Sequence, residues 1–245
     1  MQSITEAFLD HTAQTCLPLS RIQRLIGERM LASKRSKPCF YLEMKADVTE
    51  LMGMRHDLSK TLGVKITSNA FFIRAIGLTV CRYPLMVGRL VSGDRPKNGD
   101  GQVVQIAENV NVGFAVNSPQ GLVVPVVRYA EGLSLAEIAE EEKLLTAKAR
   151  SNKLTLEDIE GETIALSNLG AYDIDSFLGI VPPPVSTIVS AGKVSLAAVP
   201  QEGRLVVRRV VSLSLAVDHR VIHCDYAARF LQSLAEQLSD PERLI

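Results

Sequence analysis

Tryptophan is absent from this sequence, aromatic residues make up only 5% of it, and cysteine and histidine occur four times each among 245 residues. Cys16, Cys39, Cys81 and Cys224 are scattered without a close pair, which matches neither the spacing of a zinc site nor a dense disulfide framework. No metal and no tightly bound coloured cofactor is therefore expected. An excess of one charge is lacking too. The 27 Lys and Arg balance the 27 Asp and Glu, so no broad basic field favours nucleic acid. No apolar run reaches the ~20 residues that cross a bilayer, and the first residues do not follow the basic, hydrophobic, small-residue order of an export signal. These absences lead to the expectation of a soluble, cytoplasmic protein that binds neither membrane nor nucleic acid. No internal repeat or low-complexity linker divides the chain, and 47% of it is hydrophobic. One compact α/β domain is expected, with a mixed β-sheet covered by helices.

What is present concentrates near the end. A β-prone run, Val210 to Val217, stops at Asp218 to Asp225, a stretch with two of the four histidines, one cysteine and three charges. A helical pattern follows. A short loop held between a rigid strand and a helix N-terminus is a favourable place for chemistry. Histidine as a residue type ordinarily titrates near ~6.5, which makes His219 the best general-base candidate in the chain; read from position alone, an ordinary loop histidine is the alternative.

Residues 1–17 form a weakly patterned lead. Pro18-Leu19-Ser20 then opens a helix with Ser20 as N-cap and Ile22, Leu25, Ile26 and Met30 on one face. Arg21, Arg24 and Arg29 lie on its other side and Lys34, Arg35 and Lys37 follow, a solvated face or, alternatively, a contact for an anion such as a phosphate. Phe40, Leu42, Met44 and Ala46 alternate with polar residues in a strand wet on one face. Helical spacing starts near Thr49 and again at Ser68, where Phe71, Phe72, Ala75, Ile76 and Val80 form an apolar stripe as far as Arg82. Gly88 to Gly101 reads as a polar loop with a surface excursion at 94–100. Two β-like runs, Asn111 to Val116 and Leu122 to Val127, flank a turn. Ser134 with Glu137 is a capping-box signal for a helix to about Arg150, and Thr155 to Ile159 reads as a short helix. Thr163, Ala165 and Ser167 share one strand face, and Gly170 permits a sharp turn. Pro182, Pro183 and Pro184 favour a restrained wall, and Pro200 to Gly203 a hairpin turn. Ala227, Phe230, Leu231, Leu234 and Leu238 line a last helix, which Pro241 should stop, leaving Leu244 and Ile245 as an exposed apolar end.

Five segments taken in order resemble a known family: Pro18 to Met30, Ser167-Asn168-Leu169-Gly170, Phe177 to Val185, Asp218-His219-Arg220-Val221-Ile222, and Pro241-Glu242-Arg243-Leu244. The family is that of the acyltransferase catalytic domains of 2-oxo acid dehydrogenase complexes, related in fold to chloramphenicol acetyltransferase. The resemblance covers residues 18–245, after the 1–17 lead. It implies a chloramphenicol-acetyltransferase-like two-layer α/β fold, a mixed sheet with covering helices. It also implies that His219 is the general base and that Ser167 supplies a hydroxyl to the tetrahedral intermediate. The family places Asp-Gly where this chain has His223-Cys224, so the base is retained while its usual neighbours are not. Asp218, Arg220, His223 and Cys224 are then supporting residues. A homotrimer is implied, with His219 and Ser167 contributed by different subunits to a channel that coenzyme A enters from one side and a dihydrolipoyl dithiol from the other. Assembly into a larger core would run through Leu244 and Ile245. No lipoyl or subunit-binding domain is recognised before residue 18, so the lipoyl group is expected from a separate protein, alongside a dehydrogenase component.

The expected reaction is transfer of an acyl group between coenzyme A and a dihydrolipoyl or related thiol. A free thiol is mostly protonated at neutral pH, with a pKa around ~8.5. His219 would take its proton as it attacks the thioester and return a proton to the leaving thiolate, while Ser167 donates to the developing oxyanion. Acyl-CoA is substrate rather than bound cofactor, and direct transfer needs no acyl-enzyme. Cys224, five residues from His219 and near a helix start, is the formal alternative nucleophile, although sequence proximity does not establish a Cys–His pair. His223 is expected to hold the loop by neutral-imidazole hydrogen bonding together with packing of Cys224, or else simply to face solvent. The competing function class is a catalytically weak or inactive assembly or ligand-binding protein on the same scaffold.

Overall fold

A computed structural model describes residues 17–19, 21–93, 101–119 and 121–245. The Ser20 cap, the Ile22 side chain, the 94–100 excursion and nearly all of the 1–17 lead lie outside the described residues. In chain order come α1 (Arg21–Ser36), β1 (Cys39–Asp47), α2 (Thr49–Thr61), α3 (Ser68–Arg82), β2 (Gly88–Ser92) and β3 (Gln102–Ile106). Then follow β4 (Val112–Phe114), β5 (Val116–Ser118), β6 (Gly121–Val123), β7 (Val126–Val127), α4 (Leu135–Arg150) and α5 (Leu156–Ile159). The chain closes with β8 (Ile164–Asn168), β9 (Thr187–Gln201), β10 (Arg204–Asp218) and α6 (Cys224–Ser239).

The main sheet has the order β1-β10-β9-β8-β4-β7. It is mixed, because β8 runs parallel to both β9 and β4 while the other pairs are antiparallel. Leu213, Leu215 and Val217 of β10, Val189 of β9 and Leu166 of β8 share a core with Phe71, Ile73 and Ile76 of α3 and Phe230, Leu234 and Leu238 of α6. Helices thus cover one face, which gives the two layers. The opposite face is capped by Val181 and Val185 of the proline segment, which pack on Ala165, Ile188 and Ala216, three residues in register across β8, β9 and β10.

Local signals explain most elements. Ser134 and Glu137 form the reciprocal capping box of α4, and Thr155 with Asp158 does the same for α5. β1 keeps Tyr41, Glu43 and Lys45 exposed while Ala46 is buried. The β9–β10 hairpin turns on Glu202 and Gly203, both with positive φ (50° and 77°), the handedness that two-residue hairpins need. Helix α6 ends at Ser239, just before Pro241.

Four expectations need correction. Gly88 to Gly101 is not simply a loop, since β2 pairs with β3 as an antiparallel ribbon. Its signal was weak because every residue of β3 is exposed, which removes the alternation that marks a half-buried strand. The runs at 111–116 and 122–127 break into four short strands. On α1 the expected apolar face is only partly covered within the chain: Leu25 is exposed and Ile26 and Met30 are half-buried, while Ser33 is buried and donates its hydroxyl to the Val181 carbonyl at 2.5 Å. Finally, Leu244 is fully buried in its own chain's core, so only Ile245 remains exposed at the terminus.

Candidate active site

His219 follows directly on the last residue of β10. Asp218 is almost fully buried, its N–H donates to the Ser186 carbonyl at 2.9 Å, and its own carbonyl accepts the N–H groups of Val221 and Ile222 at 3.0 Å each. Val221 and Ile222 are themselves buried, so the chain after the strand is pinned in a tight turn with His219 and Arg220 facing out. Arg220 grips the Asp218 carboxylate as a fork, at 2.9 Å from Nε and 2.6 Å from a terminal nitrogen. The Asp218 carboxylate raises the Arg220 pKa still further above its ordinary value. An arginine beside the catalytic candidate therefore pairs backwards to Asp218, not forwards to position 223.

The His219 backbone N–H donates to the Pro38 carbonyl at 3.1 Å. Its ring sits 5.1 Å from the Phe40 ring, tilted by 58°, and 5.7 Å from the His223 ring, edge-on at 75°. The Sγ of Cys224 lies 3.6 Å from His219 Nε2, within reach of a sulfur hydrogen bond. Cys224 is the first residue of α6 and His223 is its N-cap, without a side-chain capping bond. The exposed Cys224 thiol thus contacts the base itself. The hydrogen bonding expected of His223 is not found: its side chain is exposed and meets His219 ring to ring.

Ser167 occupies a different setting. It lies on β8, in register with Ser190 of β9, which is in register with Ser214 of β10, so three serines cross the sheet on the face under the proline segment. The next residue, Asn168, donates to Asn69 Oδ1 at 2.9 Å and accepts from the Gly170 N–H at 2.9 Å, tying the strand end to the start of α3. Gly170 is needed for close approach more than for an unusual turn, because a Cβ there would come within 2.7 Å of the Gly192 carbonyl oxygen. Ala70, the residue after Asn69, is fully buried. A cleft of about 600 Å³ opens beside this strand end, lined in part by Arg55, Asn69, Asn168 and Arg209.

One chain does not bring the two candidates together. Ser167 aligns with Ser214, and His219 lies five residues beyond Ser214 and two strands across; at ~3.3 Å per residue and ~4.8 Å per strand the separation is roughly 19 Å. Half of the basic run is engaged at home. Arg29 donates to the Pro183 carbonyl at 2.6 Å, Lys34 to the Tyr41 hydroxyl at 2.8 Å, and Lys37 to the carbonyls of Val185 and Pro182. Burial lowers the Lys37 pKa and raises that of the Cys39 thiol, which the nearby Asp218 carboxylate raises further.

Residues 11–245 match the family described as 2-oxoacid dehydrogenases acyltransferase (catalytic domain). The chain belongs to that family. It is 31% identical over 232 residues to the dihydrolipoyllysine-residue acetyltransferase component of the pyruvate dehydrogenase complex of Rickettsia bellii, covering 93% of this chain and 53% of that one. To the dihydrolipoyllysine-residue succinyltransferase component of the 2-oxoglutarate dehydrogenase complex of Haemophilus influenzae it is 30% identical, covering 94% and 55%. The chain thus spans about half the length of these relatives. Among solved structures it is similar to Azotobacter vinelandii dihydrolipoamide acetyltransferase, with 30% identity, a TM-score of 0.88 and coverage of 97% and 96%.

Two features of this family member escaped the sequence. The Ser190 hydroxyl is buried without a hydrogen-bond partner, next to Ser167; only the β8–β9 pairing places it there, although the polar alternation at Ser212 and Ser214 hinted at hydroxyls on this face. The Cys224–His219 contact also needed the turn geometry. Among the described residues no cluster of three or more His, Cys, Asp or Glu could hold a metal ion, and no helix is long and apolar enough to cross a membrane.

Proposed function

We propose that this chain transfers an acyl group between coenzyme A and a dihydrolipoyl or related thiol, with His219 as general base and Ser167 as oxyanion donor from the neighbouring subunit of a homotrimer. The observation that carries the reading is a matched spacing. The Azotobacter structure comes from work on the role of a serine, a histidine and an asparagine in that enzyme's catalytic mechanism, separated by 52 and then 4 residues. Ser167, His219 and His223 stand at the same separations here. The imidazole is exposed at the end of a pinned strand, and the ~19 Å estimated between Ser167 and His219 in one chain makes a second subunit the natural source of the hydroxyl.

In the simplest route the attacking thiol gives its proton to His219 Nε2, the oxyanion receives the Ser167 hydrogen bond, and the departing thiolate is protonated by the imidazolium. The dithiol is presented by a lipoyl-bearing partner, and the acyl group originates at a dehydrogenase component. Ile245 is the surviving candidate for contacts between trimers. The second reading, a catalytically weak assembly or ligand-binding protein, draws on one observation: Cys224 and His223 crowd the base, where the Azotobacter enzyme has an asparagine at the position matching His223. Acyl transfer assayed with acetyl-, propionyl- and succinyl-CoA against dihydrolipoamide separates the two. Transfer that disappears in His219→Ala supports the enzyme; coenzyme A binding and trimer formation without transfer support the scaffold.

A further inference from the structure

The proposed function leaves Cys224 idle, yet its thiol occupies the position where a substrate thiol must arrive. Sγ lies 3.6 Å from His219 Nε2, the nitrogen free to accept a proton when the ring carries its own on Nδ1. An incoming thiol has to displace Cys224 from that nitrogen or receive the acyl group from it. We propose that Cys224 is a covalent acyl carrier, so that this protein passes the acyl group through an enzyme thioester in two steps. The proposal rests on the reading of His219 as the base.

Three independent features of the geometry favour a nucleophile over a spectator. The thiol is the first residue of α6, a helix of 16 residues, whose N-terminal N–H groups and dipole stabilise a thiolate. Because the N-cap His223 makes no side-chain capping bond, those N–H groups are not claimed by it. The base is also held in place: Phe40 packs on one side of the His219 ring, and His223 meets it edge-on. Both Cys224 and His219 are exposed, so a bulky thioester can reach the sulfur. A thiol fixed beside its base acts at a far higher effective concentration than one that must diffuse to it.

The steps balance without oxidant or reductant. Sγ of Cys224 attacks the carbonyl carbon of acyl-CoA as its proton passes to His219 Nε2; the tetrahedral intermediate collapses, the bond from carbon to the coenzyme sulfur breaks, and the departing thiolate takes that proton to leave as coenzyme A. The acceptor thiol then gives its proton to His219 and attacks the acyl-Cys224 carbonyl. The Cys224 thiolate leaves and is reprotonated by the imidazolium. The reverse sequence loads coenzyme A from an acyl-dihydrolipoyl donor.

The test uses the full chain with acetyl-, propionyl- and succinyl-CoA, without and with dihydrolipoamide. Rapid acid quench followed by intact-protein and peptide mass spectrometry reads the adduct, and initial rates at several concentrations of both substrates read the kinetic pattern. The proposal expects one acyl group on the Cys224 peptide without acceptor, its discharge on adding dihydrolipoamide at least as fast as steady-state turnover, and parallel double-reciprocal lines. Cys224→Ser and Cys224→Gly should each lose the adduct and the parallel pattern. Transfer with intersecting lines and no adduct would overturn the carrier while leaving the acyltransferase reading intact. An adduct that forms but is not discharged would overturn it as well, marking a dead-end modification. If neither transfer nor adduct is seen with any of the three thioesters, the carrier and the acyltransferase reading both fall.

Discussion

The two ends of the proposed site are built differently. Ser167 stands in the middle of the sheet, with β4 and β9 as parallel neighbours, and its strand end is tied to α3 through the Asn168–Asn69 hydrogen bond. His219 stands at the edge of order, one residue past β10, in a turn secured by the buried Asp218 and its Arg220 fork. The hydroxyl end keeps the residue type its family resemblance implies, within a frame of backbone ladders. At the imidazole end the matching histidine is present, while His223 stands four positions later, where the Azotobacter enzyme has an asparagine. A ladder constrains every residue in it, whereas a turn held through two or three anchors tolerates new side chains at the positions facing solvent.

That contrast can be broken at either end. The largest effect is expected from His219→Ala, which should lower kcat/KM for acyl transfer by about 10²–10⁴-fold, the usual range for loss of a positioned base, with unchanged circular dichroism and subunit mass. Normal turnover in the folded variant would remove His219 from the chemistry. Ser167→Ala should act on kcat by about 10²–10³-fold, the range seen for loss of one oxyanion donor, with little change in acyl-CoA affinity. A purely structural serine would instead show itself in thermal stability and leave kcat alone.

Arg220→Ala tests the anchoring of the turn. It strips the guanidinium from a carboxylate that is only 1% exposed, and leaving a buried group short of partners costs roughly 1–3 kcal/mol, more when the group is charged. A lowered melting temperature is expected, with a weaker effect from the same change at Arg243, whose partner Asp240 is half exposed. Equal losses would show that the fork at Asp218 anchors nothing in particular.

The smallest effect is expected at Glu142 of α4, one side chain removed from the Ser167 strand end through Asn69. Burial raises its pKa, against hydrogen bonds from Thr67 and Asn69 that lower it. A folded-state pKa above the unfolded value means that the folded chain holds its proton more tightly. This contribution to stability is fully present below the ordinary carboxylate pKa and is lost as pH rises through the elevated one. Glu142→Gln, which can still accept from Thr67, should therefore melt slightly higher than the parent at neutral pH, and the advantage should vanish at acid pH. A disadvantage at neutral pH that grows with pH would contradict the sign.

The sequence made the frame legible wherever one residue type had one physical use. Ser134 with Glu137, the stripe from Phe71 to Val80 and the Glu202-Gly203 turn each specify a local structure without help from the rest of the chain. The β2–β3 ribbon was hidden because Val103, Val104 and Ile106 face solvent, so apolar residues there do not alternate with polar ones. Leu244 read as an exposed end because nothing local reveals that the chain folds back into the core after Pro241. At the site, His219 and Ser167 were found through their strand contexts. The Cys224–His219 contact depends on how the turn brings residues five apart together, and the serine row depends on strand order, which one strand's sequence does not carry.

The central claim is that each active site is shared between two chains, with His219 from one and Ser167 from the next. Mixing the two inactive variants tests it most directly. Equal amounts of His219→Ala and Ser167→Ala chains, differently tagged, are unfolded, refolded together and purified as mixed trimers. In each mixed cyclic trimer one of the three interfaces pairs an intact His219 with an intact Ser167, so about a third of the parent activity should return from two preparations that are each nearly inactive. Mixed trimers of verified mass that remain as inactive as either variant alone would contradict the shared site.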